Sequence, residues 1–134
     1  MALIDLDHVN IRTARLAEMR RFYGRVLGLE EGPRPPFRVG GAWLYCGPRA
    51  AVHLVEVDEP LEVPKPRIEH FAFQAEGLAD FLERLQDYGV AYRISTVPGL
   101  ETRQVNIYDP DGNHIEIAFV ARERADLSDY PGEG

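Results

Sequence analysis

Cysteine occurs once in the 134 residues, as Cys46. A single thiol leaves no partner for an intrachain disulfide, which suits a reducing compartment. Long apolar runs are missing: no stretch approaches the roughly 18 residues that a bilayer span requires. The N-terminus, MALIDLDHVN, lacks both the basic start and the apolar core of a signal peptide. Positive charge is scarce as well. Lys and Arg total 15 against 22 Asp and Glu, a net charge of −7, which argues against nucleic acid and anionic membranes as partners. The expectation is a soluble cytoplasmic protein. Its apolar content of 45% is ordinary, and the length suits one compact unit with a real core.

What the sequence does hold is an internal repeat. LDHVNIRTARLAEMRRFYGRVLGLEE, from Leu6, parallels IEHFAFQAEGLADFLERLQDYGVAYR, from Ile68. Each copy opens with an acid and a histidine, Asp7-His8 and Glu69-His70. Alternating apolar residues follow: Val9 and Ile11, then Phe71 and Phe73. Each copy then enters an amphipathic segment, at Leu16 and at Leu78. The first carries Leu16, Met19, Phe22, Tyr23, Val26 and Leu27 at helical spacing, and the second carries Leu78, Phe81, Leu82 and Leu85. Gly28 and Gly89 stand where helix C-termini favour glycine. Strand-like runs follow in each half: around Glu30, GAWLYCG and AVHLVEV, then VAYRIS, TRQVNIYD and NHIEIAF. Each half therefore reads as strand, helix and three strands.

The stretch YDPDGNHIEIAF, residues 108–119, shows what the repeat adds. DPDGN reads as a turn. In the strand after it, Ile115, Ile117 and Phe119 share a face, and Glu116 points the other way. Alone, Glu116 would pass for a polar residue on a wet sheet face. In the repeat, however, His53 follows His8 by 45 residues and Glu116 follows His70 by 46. Both copies thus put a potential metal ligand on the first strand and on the last. Parity agrees. His8, Asn10 and Arg12 oppose Val9 and Ile11, while His70, Ala72 and Gln74 oppose Phe71 and Phe73. Imidazole and carboxylate suit a divalent first-row metal, and two histidines with one carboxylate leave positions open for substrate.

With LDHVNIR, FYGRVLGLE, IEHFAF and YDPDGNHIEIAF in view, the chain resembles the vicinal oxygen chelate superfamily. That superfamily holds glyoxalase I, extradiol dioxygenases, fosfomycin-resistance transferases, methylmalonyl-CoA epimerases and bleomycin-resistance proteins. The resemblance covers about residues 4–120 and implies an α+β fold of two tandem βαβββ modules forming a cupped mixed sheet. Module one would span 3–57, a stiff linker 58–67 and module two 68–121, together one domain. The charged tail 122–134 is expected to fray or dock loosely. The linker owes its stiffness to Pro60, Pro64 and Pro66.

By the same resemblance His8, His70 and Glu116 would hold one divalent ion, whether Fe, Mn, Ni, Co or Zn. His53 would be a fourth ligand or an acid–base group, which makes His53 and Glu116 the catalytic candidates. Arg12 matches an arginine that holds a substrate carboxylate in glyoxalase I, and Asn10 and Gln74 share its face as candidate substrate contacts. His114 is expected to be a solvated strand start, Cys46 a small core residue, and Glu18, Arg20, Arg21 and Arg25 a solvated helix face. The implied activity is that of a glyoxalase-like lyase or isomerase on a small substrate with vicinal oxygens. An iron(II) extradiol dioxygenase and a metal-free, bleomycin-resistance-like binding protein are the alternatives. Superfamily members of this length are typically homodimers.

Overall fold

The alternation after His8 becomes strand β1, Val9–Thr13. Helix α1, Leu16–Arg21, follows and runs directly into a π-helical turn, Phe22–Val26. Strands β2, Glu30–Gly32, β3, Gly41–Cys46, and β4, Arg49–Glu56, complete the first module. The second repeats the plan with β5, His70–Gln74, α2, Leu78–Asp87, β6, Arg93–Thr96, β7, Thr102–Tyr108, and β8, His114–Val120. This computed structural model describes every residue except 61, 63–66, 98, 100 and 134. Of the three linker prolines, Pro64 and Pro66 lie outside the described residues. The chain divides into two units, Met1–Pro64 and Lys65–Gly134.

Each unit holds one four-stranded mixed sheet, ordered β1-β4-β3-β2 in the first and β5-β8-β7-β6 in the second. The first and last strands of each module run parallel and the other neighbours antiparallel. Register then decides which side chains share a face. In module one Val9, Val52 and Leu44 form one row and Ile11, Leu54 and Ala42 another, while Asn10, His53 and Trp43 form a row on the opposite face. In module two Phe71, Ile115 and Ile107 oppose the rows His70–His114–Tyr108 and Ala72–Glu116–Asn106.

The apolar rows pack under the helices. Met19, Phe22, Tyr23 and Val26 are buried in module one with Leu44, Val52 and Leu54. Leu78, Leu82 and Leu85 are buried in module two with Val105, Ile107, Ile115 and Ile117, and the Phe81 and Phe119 rings meet at 5.7 Å. At roughly 1.5–3 kcal/mol for each fully buried large apolar side chain, these rows are the main stabilising term.

Three expectations change. The first helix is not uniform: the Leu27 amide bonds the Phe22 carbonyl at 3.3 Å, a wide turn that keeps the consecutive Phe22 and Tyr23 both inside. Periodicity of 3.6 does not separate that turn from an α-helix. Cys46 is exposed, because it ends β3 at the hairpin turn rather than within the core. The tail neither frays nor docks loosely. Tyr92 and Tyr130 exchange two backbone hydrogen bonds, at 2.9 and 3.0 Å, and Asp129 accepts the Ile94 amide at 2.9 Å. Glu123 accepts the amides of Gly77 and Leu78 at 3.0 and 2.9 Å. It thereby caps α2, whose own N-cap, Gly77, supplies no side-chain oxygen. Arg20 stays on the exposed helix face, as expected, and pairs there with Glu31 through two hydrogen bonds of 2.5 and 2.7 Å.

The remote cap makes a stability prediction. Glu123→Ala leaves two helix N-terminal amides without that acceptor and should cost about 1 kcal/mol, read as a drop of a few degrees in Tm. Glu123→Gln keeps an oxygen and should lose less. An unchanged Tm in Glu123→Ala would show that solvent replaces the cap.

Candidate functional site

In module two β5 and β8 lie side by side, so His70 is aligned with His114 and Glu116 lies one polar row further on. His70 Nε2 comes 3.3 Å from Glu116 Oε2. Two donors about 2.1 Å from one ion, at angles between a right angle and the tetrahedral angle, are separated by about 3.0–3.4 Å. The observed spacing therefore fits a pair of neighbouring ligands. Glu116 is largely buried and His70 partly exposed, at 12% and 39% for the side chains.

The other nitrogen of His70 is already engaged. Nδ1–H donates to Glu69 Oε2 at 2.6 Å, which turns Nε2 towards Glu116 as the free donor atom. An acid so placed fixes the tautomer and orientation of a metal-ligating histidine. The same Glu69 oxygen accepts from Nδ1 of His114 at 2.8 Å. The hydrogen bonds from His114 and then His70 hold the Glu69 carboxyl below the usual carboxylate range.

His114 is not the solvated strand start expected, since its side chain is only 10% exposed. Its Nε2 meets Asn106 Oδ1 at 3.0 Å, and the Asn106 amide nitrogen donates to the Arg93 carbonyl and Ser95 Oγ, both at 3.0 Å. Tyr108 stacks on its ring at 5.1 Å. The turn beside it is tight, because the buried Asp109 accepts the Asp111 and Asn113 amides. Glu69, His70 and His114 offer ligand atoms within 4.8 Å of one another, a second possible ion-holding group. We favour His70 with Glu116, because the Glu69 oxygen is already shared by two ring N–H groups and its side chain is 73% exposed.

Module one repeats the entry. His8 Nδ1 lies 2.7 Å from Asp7 Oδ2, which leaves its Nε2 as the free donor. The last-strand position differs. His53 is buried and sits in a stack, with its ring 3.8 Å from that of His8 and 4.0 Å from that of Trp43, at interplanar angles of 13° and 11°. Its Nε2 lies 3.0 Å from the Ala50 carbonyl, which can only accept, so Nε2 carries the proton. Ligand lone pairs lie in the ring plane, so rings stacked face to face do not aim both at one ion. Burial, with the charges of His8 and Arg34 adding, pushes the His53 pKa down, although its bond to Ala50 acts the other way.

A cleft of about 820 Å³ opens over this stack, with Asn10, Phe37 and Arg34 among its walls. Arg12 and Gln74 both have exposed side chains, and Arg12 is not among the residues lining the cleft. The structure thus brings His70 and Glu116 together in module two, and His8, His53 and Asn10 in module one. Sequence reading missed His114, Trp43 and Arg34. The signal for the orienting acids was present, as Asp7 and Glu69 each precede a histidine.

With this geometry, relatives can be compared. The family profile described as Glyoxalase/Bleomycin resistance protein/Dioxygenase superfamily matches residues 5–117, and the chain belongs to that superfamily. Glyoxylase I 4 of Arabidopsis thaliana is 33% identical over 123 residues, covering 86% of this chain and 70% of that protein. The crystal structure of a glyoxalase family protein from Bacillus anthracis superposes with a TM-score of 0.74 at 26% identity, covering 90% of this chain and 98% of that one. A glyoxylase/bleomycin resistance protein/dioxygenase domain from Frankia sp. gives 0.73 at 20% identity, over 92% and 96% of the two chains, and shares the fold. Among the described residues no helix is long and apolar enough to cross a membrane.

The His53 environment sets a pH dependence. Its pKa in the folded chain lies below the unfolded value of about 6.5. Between the two values the unfolded chain binds more protons, so stability falls as pH drops below about 6.5. Denaturant unfolding of chelator-treated protein between pH 5 and 7.5 should show this slope, and His53→Gln should flatten it. An equal slope in the variant would assign the effect to other groups.

Proposed function

We propose that the chain is a divalent-metal-dependent enzyme acting on a small substrate with vicinal oxygens, most closely a glyoxalase-like lyase or isomerase. The observation that carries this reading is the repeated acid–histidine pair. Each module holds the Nδ1 of its entry histidine with the preceding carboxylate, and in module two the freed Nε2 faces Glu116 at ligand spacing. His8, His70 and Glu116 would together hold the ion. A bound ion would act as a Lewis acid towards two adjacent substrate oxygens.

The chain's own residues would do the rest. Glu69 and Asp7 keep the ligand tautomers fixed. Glu116, largely buried, would keep a carboxylate beside the substrate oxygens. His53 serves as the acid–base or positioning group rather than as a fourth ligand, since its stack with His8 points both lone pairs along parallel planes. Asn10, on the same row as His53, is the nearer candidate for orienting substrate, with Gln74 and Arg12 at the margins.

The ligand set is tested by metal analysis. Glu116→Gln and His70→Ala should each lose most bound metal while keeping the fold, whereas His53→Ala should keep metal and lose turnover. Normal metal content in Glu116→Gln would refute the site, and metal loss in His53→Ala would make that residue a ligand.

We further propose a two-fold homodimer. β1 and β5 each lie at an edge of their sheet, and Leu6 and Ile68, just ahead of those strands, are exposed apolar residues. Strand edges of this kind are commonly covered by another chain or segment. Mixing inactive His8→Ala and Glu116→Gln chains asks whether the ligands come from different subunits. Recovered activity would show exchange between chains, and continued inactivity would place the ligands on one chain. An active monomer in sedimentation would overturn the dimer.

A further inference from the structure

The cleft of module one holds a cation with no carboxylate assigned to it. Two arginines line its wall, and they differ in their partners. Arg49 is neutralised, with Nη1 2.8 Å from Asp5 Oδ2 and 2.6 Å from the Leu6 carbonyl. Arg34 has no ion pair among the described residues. Its Nη2 donates to the Val39 carbonyl at 2.9 Å, its guanidinium carbon lies 5.0 Å over the Phe37 ring, and its Nε is buried without an acceptor. Gly41 lies against both the neighbouring strand and the guanidinium: a Cβ there would stand 2.2 Å from the Leu54 carbonyl oxygen and 2.9 Å from Nη2. The guanidinium is therefore held in place by a carbonyl, an aromatic face and a glycine. None of these cancels its charge, in a chain whose net charge is −7.

Apolar surface surrounds this charge. Phe37 and Val39 are exposed, and the Phe37 and Trp43 rings lie 6.4 Å apart along the same wall. One face of Trp43 is covered by His53, and Phe37 lies beside the ring at an angle of 48°. A fixed guanidinium recognises a carboxylate through paired N–H groups, and an aromatic wall adds stacking area beside it.

We propose that Arg34 selects the substrate: the cleft takes small carboxylates with an aromatic or similarly flat apolar body, which lies against Phe37 and Trp43 while its carboxylate meets Arg34. This deepens the enzymatic reading above and rests on it for the word substrate. The binding claim stands on module one alone.

Trp43 is the only tryptophan in the chain, so its fluorescence reports on this cleft. The experiment titrates chelator-treated full-length protein with 4-nitrobenzoate and, separately, with 4-nitrobenzamide, which has the same body without the charge. The benzoate should quench saturably and bind at least about tenfold more tightly than the amide, a difference of about 1.4 kcal/mol. Arg34→Gln should erase most of that preference and leave the weak amide binding unchanged, and Arg34→Lys should restore part of it. Far-UV circular dichroism and Tm, taken on each variant, separate loss of the contact from loss of the fold. Equal affinity for the two probes, no saturable quenching by either, or full preference in a folded Arg34→Gln would overturn the proposal. Because metal is removed throughout, a failure here is distinct from a failure of the ligand set, which metal analysis reads.

Discussion

Strand register is the constraint on which the rest depends. A side-chain period of two means that a slip of one residue would send every apolar row to the open face and every donor into the core. In module two this ties Ile115 and Ile117, both buried, to the position of Glu116 between them. The helix-facing rows cannot be packed without presenting that carboxylate on the opposite face, beside His70. Burial energy thus sets the geometry of the candidate site.

The fold was legible because this constraint leaves a trace in sequence. Val9 and Ile11, or Phe71 and Phe73, alternate in the way that one-sided burial demands, and the glycines after the helices mark their ends, with positive φ at Gly28 and Gly89. What was not legible was whatever depends on contacts distant in sequence. Nothing near Glu123 marks it as the cap of a helix that starts 45 residues earlier, whereas the Gly47-Pro48 pair directly after Cys46 did mark a strand end there. The π-turn was hidden for a different reason. Its buried residues still fit a helical stripe, and only the pairing of Leu27 with Phe22 reveals the extra residue.

The candidate site was legible in outline and silent in detail. Spacing from the repeat picked out His8, His53, His70 and Glu116, but spacing treats the two last-strand positions as equivalent. Physical surroundings separate them. Glu116 faces a free imidazole nitrogen, while His53 is clamped between two aromatic rings and bonded to a backbone carbonyl. His114 was misjudged because its position beside a turn implies solvent. The partners that enclose it, Glu69 and Asn106, come from β7 and from just ahead of β5, and only the sheet brings them together.

The modules differ on the open face of their last strands, where Ala51, His53 and Val55 of the first correspond to His114, Glu116 and Ala118 of the second. A carboxylate in the last-strand slot can turn towards the entry histidine and share an ion with it. An imidazole in the same slot instead meets the entry histidine ring to ring, and Trp43 on the next strand completes the stack. That stack lowers the basicity of His53 through burial and adds a flat apolar surface next to the cleft. The imidazole–carboxylate pair thus lies in module two, and the aromatic-walled cleft lies in module one. The two copies of one βαβββ frame therefore present different chemistry on their open faces, a carboxylate beside an imidazole in one and a stack of rings in the other.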